Sequence, residues 1–242
     1  MLPPYIVNAF NLVPPNSEED EYSGAWNSVL NYYFPISEGY IIAPRKPVGP
    51  ITSRGKDEIT FVVMKNQIAI LFVEVKALKY LSRIYERWEA DTQMRKRFYQ
   101  LYTGTDFGAP PSVLYGVCAF GTRLSIYHYD KATNKIFPPR PLGVETSQDE
   151  IVDVAPADMW DVDLLSHDHE VFQEVVNFVR ELVKLEGAHI PESYFHPWHS
   201  QVGRTSRIYL KPWHLPVASK RGLGRSYYLV AIYSVFKSPS FD

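Results

Sequence analysis

Two oppositely charged residues, Glu74 and Lys76, lie at the end of an apolar stretch that otherwise has the composition of a buried β-strand. The stretch begins at Ile68 and is apolar without interruption to Val73. Residues two apart on a strand project from the same face, and charged side chains are rarely buried without an opposite charge or a metal. The pair therefore predicts either an ion pair or a site that does chemistry. Alternation along the strand predicts Ile68, Ile70 and Phe72 on the face of the charges and Leu71, Val73 and Val75 on the other.

A second apolar run precedes this strand across a polar break at residues 65–67, which predicts an antiparallel hairpin. If the turn takes positions 65 and 66, Asp57 lies directly opposite Glu74, with Cβ atoms roughly 5 Å apart. A loop one residue longer places Glu58 there instead, and we favour Asp57. Two carboxylates at that distance repel each other unless a cation lies between them.

Asp57, Glu74 and Lys76 together match the needs of a magnesium-dependent hydrolase. Mg²⁺ prefers oxygen ligands, keeps several waters and typically takes one or two protein carboxylates. Lys76 could orient or deprotonate a metal-bound water, or neutralise charge that develops on a phosphate. The trio therefore predicts hydrolysis of phosphodiester bonds. The alternative is an ordinary ion pair at a solvated strand end.

These residues resemble the motif of the PD-(D/E)XK nuclease superfamily. The acid, sixteen intervening residues and then Glu-Val-Lys at the end of an apolar strand follow that motif. The resemblance covers about residues 20–186, and more narrowly the chain resembles uncharacterised fungal proteins of this fold. The segments that carry it are Asn31-Tyr32-Tyr33-Phe34-Pro35, Gly39-Tyr40, Arg54-Gly55-Lys56-Asp57 and Leu71-Phe72-Val73-Glu74-Val75-Lys76.

The resemblance implies a restriction-endonuclease-like α/β fold, in which a central mixed β-sheet is flanked by helices. It implies a metal-dependent nuclease in which Asp57 and Glu74 bind Mg²⁺ or Mn²⁺ and Lys76 assists the attacking water. Lys56 stands where the superfamily often has proline. Because many members have lost activity, the alternative function is an inactive nuclease-like fold that binds nucleic acid or protein.

Two helix residues are further candidates for the same site. A first helix is predicted to begin at Ser17, and in the superfamily an acid of this helix often joins the metal site, which makes Glu21 the candidate. The Ser17 and Asp20 pair favours a capping role for these acids instead. On the long helix after Lys76, Gln93 is similar to the helix residue with which related nucleases contact metal-bound water or substrate, although simple solvent exposure also explains it.

The long helix after Lys76 is predicted from helical spacing of apolar residues, interrupted by Thr92 and Arg95, which could face the site. A hairpin around Gly121 is predicted next, followed by a helix from Ser166 to about Glu186. His128 is interpreted as an ordinary strand residue. The predicted apolar positions of the long helix are Leu78, Leu81, Tyr85, Trp88, Tyr99 and Tyr102.

Charge is distributed unevenly along a chain whose net charge is −2. Residues 45–97 hold twelve Lys and Arg against six Asp and Glu, whereas residues 145–186 hold two against twelve. The basic segment brackets the proposed site, so nucleic acid is the expected partner, held through its phosphates. A solvated surface is the alternative. The candidate phosphate contacts are Arg45, Lys46, Arg54, Lys56, Lys79 and Arg83.

Length and composition predict one large domain rather than two. We expect an extended N-terminal arm over residues 1–16, docked through Tyr5, Ile6 and Phe10, and a nuclease-like domain over residues 17–186. The one cysteine, Cys118, excludes an internal disulfide and is expected to be inert core in a reducing intracellular compartment, cytoplasmic or nuclear. The longest apolar run is too short to span a membrane.

Residues 187–242 are predicted to form a C-terminal extension of different character. It is the candidate surface for a protein partner or a second copy of the chain. A P-loop, a dinucleotide-binding glycine turn, a nucleophile elbow and a zinc-protease helix do not occur in the sequence. These absences leave nucleotide, flavin, acyl-transfer and zinc-protease chemistry without local support.

Overall fold

The computed structural model of the chain describes residues 2–45, 59–103, 111–140 and 153–186. Some residues for which the sequence makes predictions lie outside these ranges. They are Lys46, Arg54, Lys56, Asp57, Glu58 and residues 187–242.

Within the described ranges the chain contains both helices and strands. Short 3₁₀ turns lie at Glu19–Tyr22, Ile36–Glu38, Leu78–Tyr80 and Ala157–Trp160. The helices and strands are α1 (Pro4–Asn11), α2 (Ser23–Tyr33), β1 (Tyr40–Arg45), β2 (Ile59–Lys65), β3 (Ile68–Lys76), α3 (Ile84–Thr103), β4 (Val113–Phe120), β5 (Arg123–Asp130), β6 (Lys135–Phe137), β7 (Val162–Asp163) and α4 (His169–Glu186).

The strands form one mixed sheet. β1 to β6 lie side by side in chain order, and the short β7 pairs with β5. β3 and β4 are parallel, whereas the other neighbouring pairs are antiparallel. A parallel pair needs a long crossover, and α3 provides it. The prediction of an α/β fold with a central mixed sheet is confirmed.

Apolar side chains cover both faces of this sheet. On one face α1, α2 and α4 pack against the strands through residues such as Phe10, Trp26 and Phe172, all buried. On the other face α3 packs through Met94 and Phe98, next to the buried Trp160. The sheet is therefore the middle layer of three.

The N-terminal segment differs from the extended arm that was predicted. Residues Pro4–Asn11 are helical, with Pro4 at the first turn, where proline is well tolerated because its missing N–H is not needed. Ile6 and Phe10 are buried as expected, four residues apart on one helix face. Tyr5 is 59% exposed, so its predicted docking role is wrong.

The first long helix begins later than the sequence predicts. α2 starts at Ser23, after the 3₁₀ turn of Glu19–Tyr22, and its N-terminus has no side-chain cap. Ser17 donates a hydrogen bond to Glu21 at 2.9 Å. This bond takes the place of the predicted Ser17 cap.

The β2–β3 hairpin has a different register from either alternative considered from the sequence. Its two-residue turn is Asn66 and Gln67, both with positive φ, as a type I′ turn requires. Ile70 bulges out of the ladder, because Leu71 pairs with Val63 while Ala69 pairs with Met64. The later turn and the bulge together place Thr60 opposite Glu74, so the predicted pairing of Glu74 with Asp57 or Glu58 is wrong.

The bulge also changes which side chains share a face of β3. Ile70 packs in the same core as Leu71 and Val73, and Ile68 packs against that core. The face of Phe72, Glu74 and Lys76 continues instead through Ala69. The predicted placement of Ile68 and Ile70 with the charges is therefore wrong, because strict alternation ignores the extra residue.

Helix α3 begins at Ile84, so the predicted positions Leu78 and Leu81 precede it, and it buries a different stripe from the predicted one. Tyr85, Trp88 and Tyr99 are 51%, 40% and 68% exposed. Charged residues are buried instead, because neighbouring groups bond to them. A prediction from the spacing of apolar residues cannot identify such positions. The buried residues of α3 are Arg87, Ala90, Asp91, Met94, Arg97, Phe98 and Leu101.

The remaining predicted elements are confirmed. The hairpin turns at Gly121, and in β5 Leu124 and Ile126 face one core while Tyr127 faces the other. α4 begins at His169, three residues after the predicted start at Ser166, and it ends at Glu186 with its apolar residues packed on the sheet as expected. None of the helices in the described part of the chain is long and apolar enough to cross a membrane.

Protonation of His128 makes the stability of the folded chain depend on pH. It lies between Tyr115 and Phe137, stacked on the Phe137 ring at 4.9 Å. Burial lowers the pKa of His128 to about 4, opposed by nearby Asp130. In the unfolded chain the imidazole of His128 binds a proton below a pKa near 6.5, whereas in the folded chain it stays neutral down to about pH 4. The contribution of His128 to stability is therefore fully present above about pH 6.5 and is lost as the pH falls toward 4.

We expect His128 to account for a loss of about 2 kcal/mol in the free energy of unfolding between pH 6.5 and pH 4. Urea denaturation across this range measures the loss. In His128→Phe the slope that this residue contributes should disappear. Identical pH profiles for the variant and the wild type would contradict the assignment.

Candidate functional site

Glu74 and Lys76 lie at the C-terminal end of β3, on the face covered by α3. Their side chains are 1% and 9% exposed, and Lys76 Nζ lies 3.5 Å from Glu74 Oε1. β3 is flanked by β2 and β4, so each charge has neighbours on both sides. The sequence prediction of a charged pair on one face of this strand is confirmed, and the pair is buried.

The backbone at the end of β3 is held by the hairpin that follows α3. Gly121 N–H donates to the Lys76 carbonyl at 2.9 Å, and Trp26 Nε1 donates to the Gly121 carbonyl at 3.0 Å. Gly121 has φ +60°, and a Cβ there would lie 3.0 Å from Leu78 Cβ. Glycine is therefore required at this turn, which connects Lys76 to the core residue Trp26.

Thr60 and Arg97 add two further polar residues to the α3 face of the sheet. Thr60 is fully buried and lies opposite Glu74. Arg97, on α3, donates from Nη2 to Thr60 Oγ1 at 3.1 Å and from Nη1 to Gln100 Oε1 at 3.0 Å. The sequence did not point to Thr60, and it placed Arg97 only within the basic segment of residues 45–97 that could hold a phosphate backbone. The available signals were a polar residue inside the apolar run of β2 and the four-residue spacing from Gln93 to Arg97.

Cys118, on β4, lies beside Glu74 in the sheet and belongs to the core on the α3 face. It is the parallel neighbour of Glu74 in the sheet. Burial raises the pKa of the Cys118 thiol far above its usual range, the Glu74 carboxylate raises it further, and Lys76 opposes the shift. The thiol stays protonated, in agreement with the inert core role predicted for it. It is no nucleophile in this state.

Gln93 lies on the sheet side of α3, one helical turn before Arg97. Residues four apart on a helix share a face, and the side-chain oxygen of Gln93 is buried. Both therefore belong to the layer that faces the sheet. Gln93 is half-buried overall, so it stays a candidate for contact with a ligand at this site.

The acids of the first 3₁₀ turn differ in burial, and the predicted Glu21 is at the surface. Glu21 is exposed and accepts the hydrogen bond from Ser17. Glu19, two residues earlier, is 6% exposed in a 3₁₀ turn that packs against β3. Among the acids of this turn Glu19 is thus the better candidate for the site. A four-residue 3₁₀ turn has no helical periodicity from which the sequence could have identified it.

The described basic candidates lie where the chain leaves β3. Lys79 forms an ion pair with Glu18 and donates to the Asn16 carbonyl at 3.0 Å. Arg83 is 61% exposed, lies 4.0 Å from Glu86 and stacks on Tyr80 at 5.0 Å. Arg83 is therefore open to a ligand, whereas Lys79 is engaged with the N-terminal segment. Of Arg45 only the backbone, in β1, is described.

A second cluster of charges on α3 has a structural role. Asp91 is fully buried and accepts bonds from Arg95, Arg140 Nε at 2.7 Å and Tyr127 at 3.2 Å. Arg95 also donates to the Pro138 carbonyl, and Arg140 to Thr92. The expectation that Thr92 and Arg95 face the site is wrong, because they hold the segment that follows β6.

Glu74 has the ligand chemistry that Mg²⁺ prefers, a carboxylate that is buried and beside a cation. No group of three or more His, Cys, Asp or Glu side chains that could hold a metal occurs among the residues described. The second predicted carboxylate, Asp57, lies outside those residues. The described part of the site therefore fits one carboxylate ligand of a metal that keeps most of its waters.

No family model, no curated protein and no solved structure matches this chain.

Proposed function

We propose that the protein is a metal-dependent nuclease of the PD-(D/E)XK type, which hydrolyses phosphodiester bonds in nucleic acid. One observation carries the proposal, the buried Glu74 and Lys76 pair at the end of β3. A mixed sheet with helices on both faces supports it, since that is the arrangement implied for a restriction-endonuclease-like fold.

A structural role explains this pair less well than a functional one. Removing two charges from water costs several kcal/mol for each ion, and well-packed apolar residues of similar volume often stabilise a core as much or more. β3 is otherwise apolar, so a hydrophobic pair would suit its position. Polar residues nevertheless gather on the same face, with Thr60 opposite Glu74 and Gln93 and Arg97 above it on α3. Such a concentration of buried polar groups is typical of a functional site.

In the proposed reaction Glu74 supplies a carboxylate to the metal site, with Asp57 proposed as the second. Bound Mg²⁺ or Mn²⁺ would supply an activated water and neutralise phosphate charge. Lys76 Nζ, on the same face as Glu74, would hold the attacking water or stabilise the developing negative charge on the phosphate oxygens. Gln93 would orient the same water or the substrate. Glu19 replaces Glu21 as the acid proposed from the first helical segment.

The experiment is a cleavage assay of the full chain with single- and double-stranded DNA and RNA. We expect cleavage with Mg²⁺ or Mn²⁺ that EDTA abolishes. Preparations of the wild type and of Glu74→Gln, purified identically, separate this activity from a contaminant. Absence of cleavage of every substrate with either metal would contradict the nuclease proposal and favour the inactive binding fold.

A further inference from the structure

Arg97 is a buried cation that the contacts of the described residues do not neutralise. It is 9% exposed. Its two described bonds go to uncharged oxygens, those of Thr60 and Gln100. No carboxylate within the described ranges lies within ion-pair distance of Arg97, and its buried Nε has no hydrogen-bond partner there.

The other buried arginine of α3 shows the contrast. Arg87 is 4% exposed and pairs with the Asp153 carboxylate. Its Nε donates to the Ala155 carbonyl at 2.8 Å and its Nη1 to the Leu81 carbonyl at 2.9 Å. Every nitrogen of Arg87 is thus bonded, as expected for a guanidinium whose role is to anchor a segment. Arg97 lacks that arrangement.

An unneutralised guanidinium is costly in a protein interior, because arginine cannot escape by losing its proton. The site next to it does not offset the charge, since Glu74 and Lys76 neutralise one another. A charge kept at such a cost is expected to be balanced when a ligand binds. The planar guanidinium matches the oxygens of a phosphate, with Nε and one Nη donating side by side.

We propose that Arg97 forms a phosphate-binding subsite that holds the backbone of the nucleic acid at the Glu74 and Lys76 pair. Its bond to Thr60, the residue opposite Glu74, fixes the guanidinium next to the pair. Arg97 would contact non-bridging oxygens of a phosphodiester, with Thr60 as its positioning residue. This inference rests on the proposed function, but it is tested by binding rather than cleavage.

The test measures thermal unfolding of the full chain in EDTA while inorganic phosphate replaces chloride at constant ionic strength. Ligand that binds the folded state raises the melting temperature, and we expect a rise of about 3 °C at a phosphate concentration tenfold above its dissociation constant. In Arg97→Met the rise should disappear. Without phosphate this variant should melt no lower than the wild type, because it removes a buried charge without a counter-charge.

Thr60→Val is the matched control for loss of the bond between α3 and β2. It breaks the same contact but keeps the guanidinium, so the rise with phosphate should become smaller without disappearing, as expected for a positioning residue. If Arg97→Met fails to fold, Arg97→Lys is used in its place. A several-fold weaker phosphate response is then expected, because lysine lacks the paired N–H donors of the planar guanidinium. A short phosphodiester oligonucleotide should compete with phosphate for the wild-type protein.

The results separate the two proposals. A wild-type protein that phosphate does not stabilise, or an Arg97→Met or Arg97→Lys variant that responds like the wild type, overturns the subsite. A phosphate response that requires Arg97, in a protein without cleavage activity, supports the subsite and overturns the nuclease. Arg97→Met that melts lower than the wild type and keeps its phosphate response shows an anchoring role.

Discussion

Replacing Glu74 by glutamine is expected to lower the rate of metal-dependent cleavage by about 10³-fold, the size of effect seen when a preorganised electrostatic group is lost. The amide keeps the shape of the side chain but removes the negative charge that draws the metal to the end of β3. Initial cleavage rates at saturating Mg²⁺, and the Mg²⁺ concentration needed for half of the maximal rate, measure the loss. Circular dichroism and thermal melting establish that the variant is folded.

Glu181→Gln is the matched control for this substitution. Glu181 is also an ion-paired glutamate, 2.6 Å from Lys184, but it is 56% exposed on α4, across the sheet from the site. Exposed pairs contribute little to stability, so both cleavage and melting should stay at the wild-type level. Cleavage by Glu74→Gln within tenfold of the wild-type rate would show that Glu74 is not a metal ligand.

Replacing Trp26 by alanine is expected to lower the free energy of unfolding by about 4 kcal/mol. The ring is fully buried and packs edge-on against Phe10 at 5.9 Å and against Phe172 at 6.1 Å. The substitution empties the space where α1, α2 and α4 meet and leaves the Gly121 carbonyl without its indole donor. Urea denaturation monitored by circular dichroism gives the change.

Two substitutions test the origin of this effect. Trp26→Phe keeps most of the apolar volume but loses the hydrogen bond to Gly121, so about 1–2 kcal/mol of destabilisation is expected. Trp88→Ala removes a tryptophan that is 40% exposed on α3 and should cost less than about 1 kcal/mol. If Trp26→Ala is no more destabilising than Trp88→Ala, the central packing role of Trp26 is wrong.

The parts of the fold that follow from the sequence are those in which apolar spacing and turn residues agree. The hairpin at Gly121, the apolar face of α4 and the shared face of Glu74 and Lys76 are examples. In each of these elements, the side chains on one side lie in the same environment, core or solvent, over several residues. Local periodicity then determines which side is buried.

The register of the β2–β3 hairpin could not be predicted in the same way. Asn66 and Gln67 adopt positive φ although neither is glycine, so the turn had no glycine to mark it. The bulge at Ile70 depends on how the two strands pack in the sheet, and an apolar residue gives no local signal for it. Because of the later turn and the bulge, the residue opposite Glu74 is Thr60 rather than the predicted Asp57.

The buried face of α3 also could not be predicted from the spacing of apolar residues. Asp91 and Arg97 are buried because groups distant in sequence bond to them, Arg140 in one case and Thr60 in the other. Their burial is a property of the tertiary structure rather than of the helix. For the same reason the exposed aromatic residues Tyr85 and Trp88 resembled a core stripe in the sequence.

These two bonded residues fix the roll of α3 about its own axis. Asp91 and Arg97 are about 120° apart around the helix, at roughly 100° per residue. The Asp91 cluster attaches one flank to Tyr127 of β5, and Arg97 attaches the other to Thr60 of β2, three strand spacings or roughly 14 Å across the sheet. β3, which carries Glu74 and Lys76, lies between these strands. With both flanks attached, the helix keeps the azimuth at which Arg97 is directed toward β2.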